Sequence, residues 1–329
     1  MSLILATVPE SGPLPLARAR LLHAAWVEAR RAGARFVLAV DDSAPVRPGM
    51  PLDDLAWLGL EWDEVVRRGE QGARYEAAAS RLEAAGRLYP CFENPEELRA
   101  KADRQRKRGA LVRYDRAMLK LTAAQWATAE AGGKRPHWRF RLSDRVIGWD
   151  DARSGRGEVA LPLLSDPVLR DAAGRVDAAL ALAADDVALG VTHIVSGTEL
   201  ATQTAVHLDL LAALGVDQGQ RVLVHLPAPQ EAGVEEGERR LQGQSVRALR
   251  ADGFTAAGLR AWFAKMARQK KPRARIEDML AENRRVLAST PFAEVSHLLP
   301  EVDEVRWLAV REGIDLVVEA RPGRDQLRE

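Results

Sequence analysis

The first forty or so residues constrain the fold more than any other part of the chain. Residues 2–7 (SLILAT) form a short apolar run of the kind that becomes a buried strand. Residues 13–32 (PLPLARARLLHAAWVEARRA) are dominated by Ala, Leu and Arg, all strong helix formers. Gly33 follows as a C-cap, because glycine takes the left-handed conformation that ends a helix without a Cβ clash. Residues 35–40 (RFVLAV) read as a second strand. A strand, a helix and a strand in that space predict a βαβ unit and hence a parallel sheet. The 329 residues, 47% of them hydrophobic, suffice for about two domains and a large core without a covalent staple.

Charge and cysteine content narrow the class. Lys and Arg number 48 against 47 Asp and Glu, so the total charge favours no particular partner, and local patches decide instead. The single cysteine, Cys91, makes no internal disulfide and no zinc set by itself, so no metal site is expected. The N-terminal MSLILATVPESGP lacks the basic start and long apolar core of a signal peptide, and no apolar run approaches a membrane span. The expectation is a cytoplasmic protein with no membrane partner.

Beyond the opening unit, residues 53–58 and 71–88 have helical text. At 94 the character changes. Asn94 and Pro95 form a helix start signal. From Arg99 to Lys120 there are nine basic residues and two acidic ones. A helical face in contact with solvent explains such a run, and so does a phosphate backbone. PHWRFRL (136–142) alternates as a strand, Pro and Gly cluster over 147–175, and 177–197 returns to apolar α/β text. A compact helix (207–215), a strand (221–226), an acidic loop (230–240) and helices from 245 onward complete the chain. The layout is a split α/β domain, residues 1–88 and 165–250, with an insertion at 89–164 and a helical region at 251–329.

Seven strings, in order, resemble the glutamyl-tRNA synthetase family of class I aminoacyl-tRNA synthetases. They are LAWLGLEWDE (55–64), AAGRLYPCFENPEEL (84–98), YDRAMLKLT (114–122), PHWRFRL (136–142), LSDPVL (164–169), DDVALGVTHIVSG (185–197) and HLDLLAALG (207–215). ASTPFAEVSHLLPEVDEVRWLAVREGI (288–314) resembles the start of the helical region that leads to the anticodon-binding part. The resemblance implies an α/β class I Rossmann-type catalytic core, an inserted acceptor-stem-binding subdomain over 89–164 and a helical stem-contact region over 251–329. It also implies that the anticodon-binding domain is mostly absent, as in glutamyl-queuosine tRNA(Asp) synthetases. Those usually carry a cysteine-rich zinc site, which Cys91 alone does not supply.

The same resemblance assigns positions to chemistry. In PESGPLPLARAR, Gly12 and Leu14 keep the register of the first, HIGH-like signature, whose histidine and backbone hold ATP phosphates. Pro15 stands at the first histidine's place, Ala17 at the glycine's and Arg18 after it. Proline has neither a side-chain donor nor an amide hydrogen. In the second, KMSKS-like signature, Glu236 stands at the first lysine, Glu238 at the serine and Arg239 at the second lysine, with Arg240 next. Glutamates 231, 235, 236 and 238 thus crowd a loop that should meet a triphosphate, although Arg239 or Arg240 can still bind phosphate. The glutamate pocket corresponds to Leu5, Asp41, Ala178 and Ser196, of which Asp41 alone keeps its chemical type. Gly12 and Gly197 are the implied nucleotide-binding positions.

For RNA, the resemblance points to Arg104, Arg106, Lys107 and Arg108 in the insertion. It points also to Lys270 and Lys271 in a second basic run, Arg260 to Arg275, which has seven basic residues and no acidic one. The implied partner is a tRNA acceptor stem, with a protein partner also open. ATP with magnesium is the implied nucleotide wherever family activity persists, and the residues themselves name no cofactor. Other features have plain readings beside the functional ones. Asp185 and Asp186 read as a surface pair near a helix end, His193 as a packed histidine, Trp57 and Trp62 as core, and Cys91 as a small buried residue. Glu199 sits near the acidic position of the family's G-E-D text. Both ATP signatures and the glutamate grip are altered together. The expectation is therefore a binding paralogue, with a synthetase of altered specificity, an aminoacyl transferase or ordinary tRNA glutamylation as the alternatives.

Overall fold

The computed structural model describes residues 2–42, 50–216, 221–229 and 244–322. Along the chain these form β1 (Leu3–Pro9), α1 (Leu16–Ala32), β2 (Arg35–Asp41), α2 (Pro51–Trp57), β3 (Glu64–Arg67), α3 (Gly72–Ala84), β4 (Leu88–Cys91) and α4 (Pro95–Lys107). There follow α5 (Ala123–Ala131), β5 (His137–Phe140), β6 (Val146–Asp151), β7 (Gly155–Ala160), β8 (Val168–Arg170), α6 (Ala178–Leu189), β9 (His193–Gly197), α7 (Ala201–Ala213) and β10 (Val222–Leu226). The remainder is helical: α8 (Val246–Ala251), α9 (Ala256–Arg268), α10 (Ile276–Leu287), α11 (Phe292–Val295) and α12 (Glu304–Val310). The chain divides into two units, Met1–Arg67 with Val195–Thr198 and His225–Glu329, and Arg68–Ile194 with Glu199–Val224.

The first unit is built on the βαβ unit that the opening residues predict. β1 and β2 pair in parallel from Leu3↔Arg35 to Pro9↔Asp41, and β2 pairs in parallel with β3. The strand order is β3-β2-β1-β9-β10. Phe36 to Val40 are all buried, as expected of a parallel strand covered on both faces. α1 buries Leu16, Ala19, Leu22, Ala25 and Ala29, a helical stripe laid against Ile4, Val8 and Phe36. Gly33 ends it at φ 58, and the Ala34 N–H returns to the Ala29 carbonyl at 2.9 Å. α9 adds Leu259, Trp262, Phe263 and Met266 to the same core. A second core gathers Leu287, Val295, Leu299, Val302, Trp307 and Val317 around the last helices, and the Trp307 Nε1–H donates to the Thr290 carbonyl at 2.9 Å.

In the second unit, α3, α6 and α7 pack through Leu82, Leu180, Ala184, Leu208 and Leu211. β4, β5 and β8 form an antiparallel sheet in the order β4-β5-β8. β6 and β7 form an antiparallel hairpin from Val146↔Ala160 to Asp151↔Gly155, and the larger sheet runs β9-β10-β6-β7 here. The hairpin lies in the 147–175 stretch, where Pro and Gly hid it. Gly157 faces Trp149 across the hairpin, and a Cβ on Gly157 would stand 2.5 Å from the Trp149 ring. The ring covers a place where no side chain fits. The expected insertion, residues 89–164, lies wholly in this unit, together with residues 68–88 and 165–194. No helix of the described residues is long and apolar enough to cross a membrane.

Candidate active site

In the first unit, β1 has β2 on one side and β9 on the other, so the strand order reverses direction at β1. Ligands of doubly wound sheets bind in the crevice past the strand C-termini at such a reversal. The loop after β1 and the start of α1 form its rim. Gly12 is buried at φ 92, a left-handed conformation that lets the loop turn into the helix. Leu5 is half-buried on β1, Asp41 half-buried at the end of β2, Ser196 half-buried and Gly197 buried on β9. Thus Leu5, Asp41 and Ser196 stand on three neighbouring strands. Ala178 lies in the second unit as the exposed first residue of α6, behind an Asp177 cap. Glu236, Arg239 and Arg240, with the other glutamates of their loop, fall outside the described residues.

Pro15 is the N-cap of α1 and makes no side-chain cap bond. Pro15, Ala17 and Arg18 are all exposed, so they face solvent rather than the core. The Leu16 N–H, the first of the helix, donates to the Gln244 carbonyl at 2.9 Å. In return the Val246 N–H donates to the Leu14 carbonyl at 2.9 Å, closing an antiparallel bridge at Pro15 and Ser245. The Leu14 N–H donates to Asp54 Oδ2 at 3.2 Å. Asp54 is buried, and that burial pushes its carboxyl above the ordinary range. A helix N-terminus binds phosphate through orphan N–H groups. Here the cap has no donor and the first N–H is already spent within the protein. No local pattern marks Asp54, whose partner lies 40 residues away.

The second unit corrects one expectation. Asp185 and Asp186 are not a surface pair, being 0% and 2% exposed. Asp185 accepts from Arg74 Nη1 at 2.7 Å and from the Tyr75 hydroxyl at 3.2 Å, with Arg68 Nε at 3.5 Å. Burial and the Asp185 charge push the Tyr75 hydroxyl well above its usual value, so it stays a donor. Asp186 meets His207 Nε2 at 2.7 Å. Placing two acids among alanines and leucines is affordable only with such partners. His193 is buried with Nδ1 2.8 Å from Thr192 Oγ1, and Glu199 is exposed. In the first unit, Trp57 and Trp62 pack half-buried against the core. Cys91 is buried, as read.

The basic run sorts into two kinds of residue. α4 starts on a capping box, with Asn94 Oδ1 accepting from Glu97 N and Glu97 Oε2 accepting from Asn94 N. Arg104, Arg106, Lys107 and Arg108 are exposed at its C-terminal end, where cations also suit the helix dipole. Arg106 pairs with Asp103 at 2.6 Å. Lys101, Arg113 and Arg116 are tied within the protein, to Glu93 and Asp115, to the Pro162 carbonyl and to Asp166. In the other run, Lys270 and Lys271 are exposed, whereas Lys265 pairs with Asp278 at 3.0 Å and Arg260 donates to the Leu58 carbonyl at 2.7 Å.

A mixed parallel sheet whose strand order reverses at β1, with a loop that opens a helix beyond it, is a Rossmann-type core of the kind that class I aminoacyl-tRNA synthetases carry. The family model described as tRNA synthetases class I (E and Q), catalytic domain, matches residues 9–232. A glutamate–tRNA ligase 2 of Acidiphilium cryptum is 41% identical over 339 residues, covering 94% of this chain and 76% of the relative. That of Gluconobacter oxydans is 39% identical, with 94% and 76% covered. A glutamate tRNA ligase structure from Elizabethkingia meningosepticum shares the fold, with a TM-score of 0.81 at 20% identity over 97% of this chain and 78% of that one. The chain belongs to the glutamyl-tRNA synthetase family.

Proposed function

We propose that this glutamyl-tRNA synthetase-like protein does not carry out ordinary glutamate–tRNA ligation and acts as a tRNA-binding paralogue. One observation carries the reading: the positions that the resemblance gives to the grip on carboxylate and phosphate hold Leu5, Ser196, Pro15 and Ala17, none of which has a side-chain group that binds an anion as a cation or imidazole does. The resemblance implies an arginine at each of the positions that Leu5 and Ser196 hold; each charged hydrogen bond contributes roughly 1.5–3 kcal/mol, so losing two such arginines weakens a dicarboxylate by about a hundredfold or more. The spent N–H at α1 removes part of the phosphate cradle as well. The exposed Arg104, Arg106, Lys107 and Arg108 in the insertion, and Lys270 and Lys271 beyond α9, suit the phosphate backbone of an acceptor stem, read by shape.

ATP–pyrophosphate exchange tests the catalytic half, with glutamate and then the other amino acids, with and without bulk tRNA. The expected result is no exchange above the enzyme-free rate. Exchange with glutamate would restore ordinary ligation, and exchange with another amino acid would make this a synthetase of altered specificity. Filter binding of bulk tRNA tests the other half. Salt-sensitive binding is expected, weakened by Arg104→Ala with Arg108→Ala, and its absence overturns the RNA reading.

A further inference from the structure

α4 carries the outward cations, yet none of its 13 residues is buried. No fully buried side chain of its own therefore seats it. Polar ties from the segment Arg113–Arg116 do. The Gln105 side chain accepts the Arg113 N–H at 3.1 Å and donates to the Arg113 carbonyl at 2.8 Å, so helix and segment pair through one amide. Lys101 Nζ on α4 joins buried Glu93 and, at 2.9 Å, Asp115. Tyr114 donates its backbone N–H to Ser165 Oγ at 2.9 Å and its hydroxyl to Glu93 at 2.7 Å.

Arg116 closes the segment. Its Nε and Nη2 donate to the two oxygens of Asp166, each at 2.9 Å. Nη2 also reaches the Leu142 carbonyl at 2.8 Å, and Nη1 reaches Asp144 at 3.1 Å. Asp166 is 1% exposed and accepts further from the Tyr89 hydroxyl at 2.7 Å and the Leu142 N–H at 3.0 Å. Arg116 has φ 55 and is the one non-glycine residue of positive φ among those described. That conformation is unfavourable for an L-residue with a Cβ and persists only where the surroundings fix it. The Asp166 clasp is what fixes it.

We infer that Arg116 is a positioning residue, which through Asp166 fixes the segment that seats α4 and so aims the basic face at RNA without touching RNA itself. The inference rests on the RNA-binding reading above. It divides one basic run into two classes: Arg104 and Arg108 would spend their charge on phosphate, and Arg116 spends its charge on a buried carboxylate. The two roles predict opposite effects when Asp166 is neutralised. A phosphate contact freed from a competing anion binds RNA as well or better. A positioning residue that loses its anchor lets α4 drift, and several contacts weaken together.

The experiment measures bulk tRNA binding by the full chain across a salt series. Arg104→Ala should lower the log–log salt slope by about 0.7–0.9, the loss of one phosphate contact. Asp166→Asn should weaken binding at least tenfold although it removes a negative charge, and should lower the slope by more than one contact. Arg116→Gly, which suits φ 55, should do the same. Unchanged or tighter binding by Asp166→Asn overturns the inference, and so does an Arg116→Gly slope change of a single contact. If Asp166→Asn fails to fold, Arg116→Lys decides: a phosphate contact tolerates the point charge of lysine, whereas the two-pronged clasp does not. Full binding by Arg116→Lys overturns the positioning role. Should the wild-type chain bind no tRNA, the RNA reading fails by itself. Hydrogen exchange then reads the seat directly: faster exchange across residues 95–107 in Arg116→Gly is expected, and unchanged exchange overturns it.

Discussion

His23 shows what one buried side chain contributes. It lies on α1 against Phe263, ring centroids 5.5 Å apart, and near Trp26. Burial, helped by the charge of Arg260, lowers its pKa from 6.5 to about 4. The unfolded chain therefore takes up a proton that the folded chain refuses. The contribution of neutral His23 is complete above pH 6.5 and drains away as pH falls from 6.5 towards 4. At pH 5 the loss amounts to about 2 kcal/mol. His23→Leu keeps an apolar body and cannot be protonated, so its melting temperature should fall less between pH 7 and pH 5 than that of the wild type. Calorimetry at the two pH values measures this. Equal falls in both proteins would place the acid sensitivity elsewhere. His137, also pushed down by burial, is common to both and does not contribute to the difference.

At the scale of elements, α9 and α10 approach through a glycine. Asn283 on α10 is fully buried. Its Oδ1 accepts from the Thr255 N–H at 2.9 Å and the Thr255 hydroxyl at 2.7 Å, and its Nδ2 donates to the Asp315 carbonyl at 2.6 Å. A Cβ on Gly258 would stand 2.1 Å from that Oδ1 and 2.9 Å from the Asn283 Cα, so the backbone itself must move. Alanine is the better helix former by about 1 kcal/mol. Overpacking costs roughly 1–3 kcal/mol, and a buried amide that loses its partners costs a further 1–3 kcal/mol. Gly258→Ala should therefore destabilise by about 1–5 kcal/mol in urea titration, against the sign that propensity gives; a neutral or stabilising result would show that the helices part freely. The sequence shows why such a place goes unread. Gly33 and Asn94 announce helix ends because their partners lie within five residues. Asp185 finds Arg74 at a separation of 111, Asn283 finds Thr255 at 28 and Asp166 finds Arg116 at 50, and no local pattern marks those pairings. Trp149 and Gly157 likewise read as turn text until the hairpin puts them opposite each other.

Across the whole molecule, fold and site were legible in different ways. The parallel βαβ unit followed from apolar runs and a glycine cap, because strands that are buried on both faces must be apolar. The candidate site rests only on the resemblance, since Leu5, Pro15 and Ser196 carry no chemistry that a pattern could flag. A scaffold can keep its core while the start of α1 varies, because the two are held by different residues: Ile4, Val8 and Phe36 pack inward, and Pro15 and Ala17 face solvent. Total stability then reports ligand binding at any site. A ligand that binds only the folded chain adds about 2.7 kcal/mol at a hundredfold excess over Kd. For a unit of roughly 150–250 residues each kcal/mol raises the melting temperature by about 2–4 °C, so a working nucleotide site would show a shift of several degrees. With millimolar magnesium–ATP, alone and together with glutamate, the expected shift is below about 1 °C, whereas bulk tRNA at low salt should raise the transition measurably. A rise of several degrees with magnesium–ATP would show a nucleotide site surviving at α1 despite Pro15. It would reopen the adenylating reading even where exchange is silent, because exchange needs an amino acid that fits and binding does not.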